Sequence, residues 1–273
     1  MRAAAWLFVS ILCVAGEVLA APPLFPTPLH LTRQVNDSIT GKTAVIDEYG
    51  YGNRLVSVRG LRTSIADYEK GVLTEIDREQ ATYSVTRFDI IAKASSASPN
   101  GETSSVESSQ KAAPVIRSDG AKRTKLGRSA EFFESQIDGA GTKRKVQVGI
   151  DRTVLVSREA LEVLLGSAYP GERRREHDVV LSAAAPADTV RSLSAGSQGA
   201  PSYALPIEQI VSYDIEGQQL EFRTTVVRIG TEQAPADLLA IPAGARLVPS
   251  HIAATAAEVE QMSHPTPAVT KGH

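Results

Sequence analysis

Cysteine is almost missing from this chain of 273 residues: Cys13 is the only one, and Trp6 is the only tryptophan. A single cysteine excludes an internal disulfide and any metal centre built on a cysteine pair. Aromatic residues make up only 5% of the chain, so its core is expected to be lined by aliphatic side chains. No sign of charge dominates. The 29 Lys and Arg against 31 Asp and Glu leave a formal net charge of -2, which excludes a strongly basic nucleic-acid binder and a long acidic tail. Beyond the N-terminal stretch, no run approaches the roughly 20 apolar residues of a helical membrane span. Catalytic signatures are missing too. There is no Gly-x-Ser-x-Gly turn, no His-Glu-x-x-His helix and no phosphate-cradling glycine loop. Gly50-Tyr51-Gly52 lacks the third glycine and the following helix of a dinucleotide site, and reads as a hairpin. The five histidines, His30, His177, His251, His264 and His273, are scattered. His177-Asp178 follows the run Glu172-Arg173-Arg174-Arg175-Glu176, which reads as a solvated charged face. Arg173–Arg175 is the stretch that anionic headgroups would meet, and Asn36-Asp37-Ser38 fits a glycosylation sequon. These absences lead to the expectation of a non-enzyme with no metal and no cofactor.

What is present is globular composition, 42% hydrophobic and 22% charged. Residues 1–20 read as an export signal. Arg2 supplies the positive end, Ala3 to Ala15 form an apolar core too short to span a bilayer, and Val18 and Ala20 suit cleavage after Ala20. Leu12 is too large for the residue before a lipidated cysteine, which argues against lipid attachment at Cys13. With the signal removed, the mature chain has neither cysteine nor tryptophan, and its stability must come from apolar burial. The expected location is the periplasm or the outside of the cell, with no membrane span remaining.

Residues 21–27 are proline-rich and extended. Short β-rich runs follow at 42–49, 53–59, 63–68, 72–76 and 82–86, with connections of a few residues, which predicts an antiparallel meander. Phe88, Ile91 and Ala92 have helical spacing and predict a short helix over 88–94. From Ala94 to Lys122 there is no aromatic residue, and Ser95 to Ser109 holds seven serines. This predicts a flexible insertion over 94–125. Strand pattern returns at 129–137 and 143–150, where Val146, Val148 and Ile150 share one side with Arg144 at its edge. Ser157 suits the N-cap of a helix whose stripe is Ala160, Leu161, Leu164 and Leu165. An Ala/Ser/Gly-rich loop is expected over 182–202. A long hairpin then pairs 207–215 with 218–229 around Glu216-Gly217, with Leu220, Phe222, Thr224 and Val226 on one side. Residues 252–262 could form a marginal Ala-rich helix, within a C-terminal tail expected over 251–273.

Three stretches carry a resemblance. The first is Asn53-Arg54-Leu55-Val56-Ser57 leading into Thr74-Glu75-Ile76-Asp77-Arg78-Glu79-Gln80-Ala81-Thr82-Tyr83-Ser84-Val85. The second is Lys145-Val146-Gln147-Val148-Gly149-Ile150-Asp151. The third is Pro235-Ala236-Asp237-Leu238-Leu239-Ala240-Ile241-Pro242-Ala243-Gly244, with Leu239 where phenylalanine is common. Their order resembles the lipoprotein-carrier-like superfamily of LolA/LppX type and its exported bacterial relatives. The resemblance implies a mainly β, α+β fold: a curved antiparallel sheet forming an incomplete β-barrel, with a few short helices covering one side. It would make residues 21–250 a single half-barrel domain. In the carriers that hollow holds acyl chains. A lining of Leu220, Phe222, Val226, Val146, Val148, Leu161 and Leu164 is expected here on the alternation and the helix stripe. Two functions follow as expectations. One is an exported non-catalytic protein holding a lipid or other apolar ligand. The other is a structural or interaction module of the cell envelope with a filled core and a protein partner. No nucleic acid is expected as a partner of either.

Overall fold

A computed structural model describes residues 22–97, 115–138, 143–166, 175–186, 202–215 and 217–250. The expected signal (1–20), the C-terminal tail (251–273) with its marginal helix at 252–262, and parts of the two expected loops lie outside these residues.

Twelve strands form one sheet that does not close into a barrel. The first meander is β1 (Phe25–Asp37), β2 (Thr43–Gly52), β3 (Arg54–Arg59), β4 (Arg62–Asp67), β5 (Val72–Asp77) and β6 (Thr82–Arg87), followed by helix α1 (Phe88–Ala97). The second is β7 (Arg117–Lys125), β8 (Arg128–Asp138), β9 (Lys143–Ser157), helices α2 (Arg158–Leu165) and α3 (Arg175–Ala184), β10 (Ser202–Ile215) and β11 (Gln218–Gly230). A short helix α4 (Ala236–Leu239) and a two-residue strand β12 (Arg246–Leu247) end the described chain. The strand order is β12-β6-β5-β4-β3-β2-β1-β11-β10-β9-β8-β7. The two meanders therefore meet at one seam, where β1 pairs antiparallel with β11. Among the described residues, only the β12–β6 pair is parallel.

Local chemistry sets these elements. Ser157 caps α2, its hydroxyl accepting from the Ala160 amide at 3.0 Å. The stripe Ala160, Leu161, Leu164 and Leu165 is buried, as its spacing predicts. The two glycines of the β2–β3 hairpin have different reasons. Gly52 turns the chain with φ +56. Gly50 lies within β2, where a Cβ would meet the Phe25 ring at 2.6 Å. Pro26 and Pro28 fall where the β1–β2 register shifts, so neither removes a bond from a regular ladder. On β11 a bulge leaves Val227 unpaired between Val226, opposite Arg33, and Arg228, opposite Thr32. The bulge reverses the alternation, so Val226 and Arg228 face opposite sides of the sheet.

One face carries the main core. Leu31, Leu55, Ala66 and Leu73 from the first meander meet Ile91 of α1, Ala160 and Leu164 of α2, and Leu205, Ile207 and Val226. The other face is covered over β2–β4 by the last described segment. There Tyr49 and Val56 pack with Ala234, joined by the half-buried Ile65, Leu238 and Leu239.

Three expectations are corrected. The flexible insertion expected over 94–125 does not hold at its ends: α1 runs on to Ala97, and β7 occupies Arg117–Lys125 as an edge strand, while residues 98–114 lie outside the described residues. β7 has no apolar alternation because almost all its side chains are exposed. The loop expected over 182–202 does not hold at its ends either, since α3 extends to Ala184 and β10 begins at Ser202, and residues 187–201 lie outside the described residues. The run ending at Glu176 is not a wholly solvated face. Glu176 is buried in the first turn of α3, 3.2 Å from Arg144 of β9. Among the described residues, no helix is long and apolar enough to cross a membrane.

Candidate functional site

The seven expected lining residues fall into two groups. Val146, Val148, Leu161, Leu164 and Val226 are all buried at 3% exposure or less. They lie in packed clusters. Val146 meets Val179 of α3 with Ile137 and Val211. Val148 and Leu161 join Ile150, Val180, Leu181 and Tyr203. Leu164 and Val226 belong to the main core. Leu220 and Phe222 are only half-buried. Phe222 lies in register with Val211, itself opposite Val146, so all three share one face. Its ring meets Tyr213 edge-on at 5.8 Å rather than entering the core.

Helix α3 is what fills the space over β9 and β10. Of its buried positions, Glu176, Val179, Val180, Ala183 and Ala184 repeat at helical spacing, and Leu181 is buried beside them. Arg152 of β9 fixes its C-terminal end. One guanidinium nitrogen donates to the Ala185 carbonyl at 2.8 Å and another to that of Ala183 at 3.1 Å. The cation satisfies carbonyls that helix geometry leaves open, and it suits the negative end of the dipole.

Sequence reasoning missed the polar centre of the sheet. Arg33 and Glu48 sit on the helix-covered face of β1 and β2, both buried, with Arg33 Nε 2.9 Å from Glu48 Oε2. Arg33 Nη1 also donates to the Leu164 carbonyl at 3.4 Å, near the end of α2. The Nε–Oε2 approach is an ion pair by distance without hydrogen-bond alignment, and Arg33 Nη2 has no partner. Burial pushes the Glu48 carboxyl up, and the Arg33 guanidinium opposes that rise. A recess of about 10 Å³ lies beside the pair, bordered by Arg33, Leu165, Glu208 and Thr224. That is room for about one water. Glu208, also buried, is held by Lys125 of β7 at 3.1 Å. Nothing in the sequence pairs these residues. Arg33 and Glu48 meet through strand register, and Lys125 and Glu208 are 83 residues apart.

No family model matches this chain, and neither does any curated protein. It is similar to solved structures of PNGF-II. The C2 crystal form gives a TM-score of 0.35 at 6% identity, covering 86% of this chain and 33% of that one. The P21 form gives 0.32 at 6% identity, covering 82% and 31%. The chain thus spans about a third of the length of these structures.

Proposed function

We propose that the chain is an exported, non-catalytic module of the cell envelope whose open sheet is filled by its own helices and which works by contact with an envelope protein. The observation that carries this reading is the packing of Val146, Val148, Leu161, Leu164 and Val226 against α2, α3 and the central strands. A carrier needs an internal volume for its cargo, and small-molecule pockets run to roughly 300 Å³ or more. Among the described residues, the recess beside Arg33 is smaller than that by more than an order of magnitude and is bordered by the charged Arg33 and Glu208. Export rests on the charge, length and small-residue pattern of residues 1–20. The non-catalytic reading rests on the missing motifs and on charged groups engaged in structural ion pairs.

Organic extraction of protein isolated from the export compartment, followed by mass spectrometry, tests the filled core. The expected result is no stoichiometric acyl compound. One lipid per chain would overturn the filled-core reading in favour of a carrier of apolar ligands.

A further inference from the structure

After β11 the chain crosses the back of the sheet, away from α2 and α3, as a strap over 231–250. Besides the packing of Ala234, Leu238 and Leu239 on Tyr49 and Val56, it is fastened by a few polar contacts among the described residues. Helix α4 is a single turn with no buried residue. Arg78 Nη2 donates to the carbonyls of Asp237 at 2.6 Å and Leu238 at 3.0 Å. β12 pairs over two residues, flanked by bonds from the Arg246 amide to the Ala81 carbonyl and from the Val248 amide to the Tyr83 carbonyl. Leu247 is 64% exposed.

A further fastening is chemically unlike these. His30 of β1 is 5% exposed, and its ring stacks on Tyr49 at 4.2 Å between centroids. Its Nε2 lies 3.2 Å from Asp47 Oδ1 of β2, and its Nδ1 lies 3.2 Å from Glu232 Oε2 at the start of the strap. Thr32 already donates to the same Asp47 oxygen at 2.6 Å. Arg228 of β11 pairs with the other oxygen of Glu232. The charged or titratable groups around the imidazole are thus Asp47, Glu232, Arg228 and the Tyr49 phenol. Burial pushes that phenol up, so it stays neutral.

We propose that Asp47, His30 and Glu232 form a proton-operated latch that holds the strap on the back of the sheet, closed while the imidazole carries both ring protons. The imidazolium donates to both carboxylates at once, and the neutral ring can donate to only one. Asp47 is fixed on a strand and held by Thr32, so the remaining proton stays on Nε2. The Nδ1 lone pair then faces the Glu232 carboxylate and repels it. Glu232 is half-exposed on the strap, and its remaining partner Arg228 is itself exposed, so the carboxylate can turn into water without leaving that cation. Opening the latch loosens α4 and β12. It bares the apolar patch at Tyr49, Val56 and Ile65 together with the outer edge of β6.

Hydrogen exchange on the full chain, normalised to the intrinsic rate at about pH 5.5 and about pH 8, tests the latch. Protection of the Arg246 and Val248 amides should fall roughly three- to tenfold at the higher pH, the scale of one partly exposed charge-assisted bond. Amides of Val146 and Val211 should show no such change. Glu232→Gln should lower strap protection at the acid pH and flatten its pH dependence. Gly230→Ala should do the same with every charge retained, because the added methyl would run into the Glu232 carboxylate and move it off His30. Equal normalised protection of the strap at both pH values overturns the latch, as does a pH difference that survives in both variants.

Discussion

Arg33 and Glu48 form a buried ion pair on the helix-covered face of the sheet, and taking both charges out of water costs the fold stability. Each leaves water for the other, and the pair is worth keeping only while both are present. Glu48→Leu should therefore destabilise by about 3–5 kcal/mol, because Arg33 is left as a buried uncompensated cation. Arg33→Met combined with Glu48→Leu should recover most of that loss, as read by denaturant melts of the single and double variants. The pair also has a pH signature. Burial raises the Glu48 carboxyl above its ordinary 4.5, so the folded chain binds this proton more tightly than the unfolded one. Its contribution to stability falls as pH rises from 4.5 through the raised value, then levels off. Glu48→Gln should remove that slope. None of this was legible in the sequence, where Arg33 and Glu48 are two charges among many. The lining residues were half legible. Alternation placed Val146, Val148 and Phe222 on one face, but it could not show that α3 would occupy the space above them.

At the scale of elements, the hairpin between β7 and β8 is the weakest match between residue and geometry. Leu126 and Gly127 form its two-residue turn, with φ +54 and +70. Both central residues of such a turn need positive φ, which suits Asn-Gly and penalises leucine. Leu126→Asn should raise stability by about 0.5–1 kcal/mol in a thermal melt. A loss would mean that the exposed leucine packs elsewhere. The strands β2 to β6 were readable almost to the residue, because Gly52, Gly60 and Gly71 with positive φ, and the polar turn before Thr82, punctuate β-rich runs. Ser157 announced α2. Helix α3 was missed even though Glu176, Val179, Val180, Ala183 and Ala184 keep its period. A buried glutamate and two alanines make a weak apolar stripe, and it stands between a charge run and an Ala-rich stretch. β7 was missed for a different reason. An edge strand with Arg117, Lys122 and Arg123 facing water buries almost nothing, so it leaves no apolar alternation to read. The same charges discourage another chain from pairing with that edge.

Across the whole molecule, the two meanders are built from neighbours in sequence, whereas the seam joins residue 30 to residue 230. Contacts of such separation must be closed against loop entropy before they stabilise anything, so folding should be slow for its stability. Refolding from denaturant should show β1–β11 protection appearing last, on a timescale of roughly seconds, by pulse-labelled exchange. Early protection at Leu31 and Arg228 would show that the seam nucleates the fold instead. The same seam has a meaning for the chain as it is made. A ribosome adding roughly 5–20 residues per second needs about 10–40 s to travel from β1 to β11. For the part of that interval after β6 has emerged, the finished first meander offers an unpaired edge of β1 to any passing strand. A holdase that keeps the nascent chain extended until Gly230 has emerged would remove that hazard, and so would passage across a membrane before folding begins.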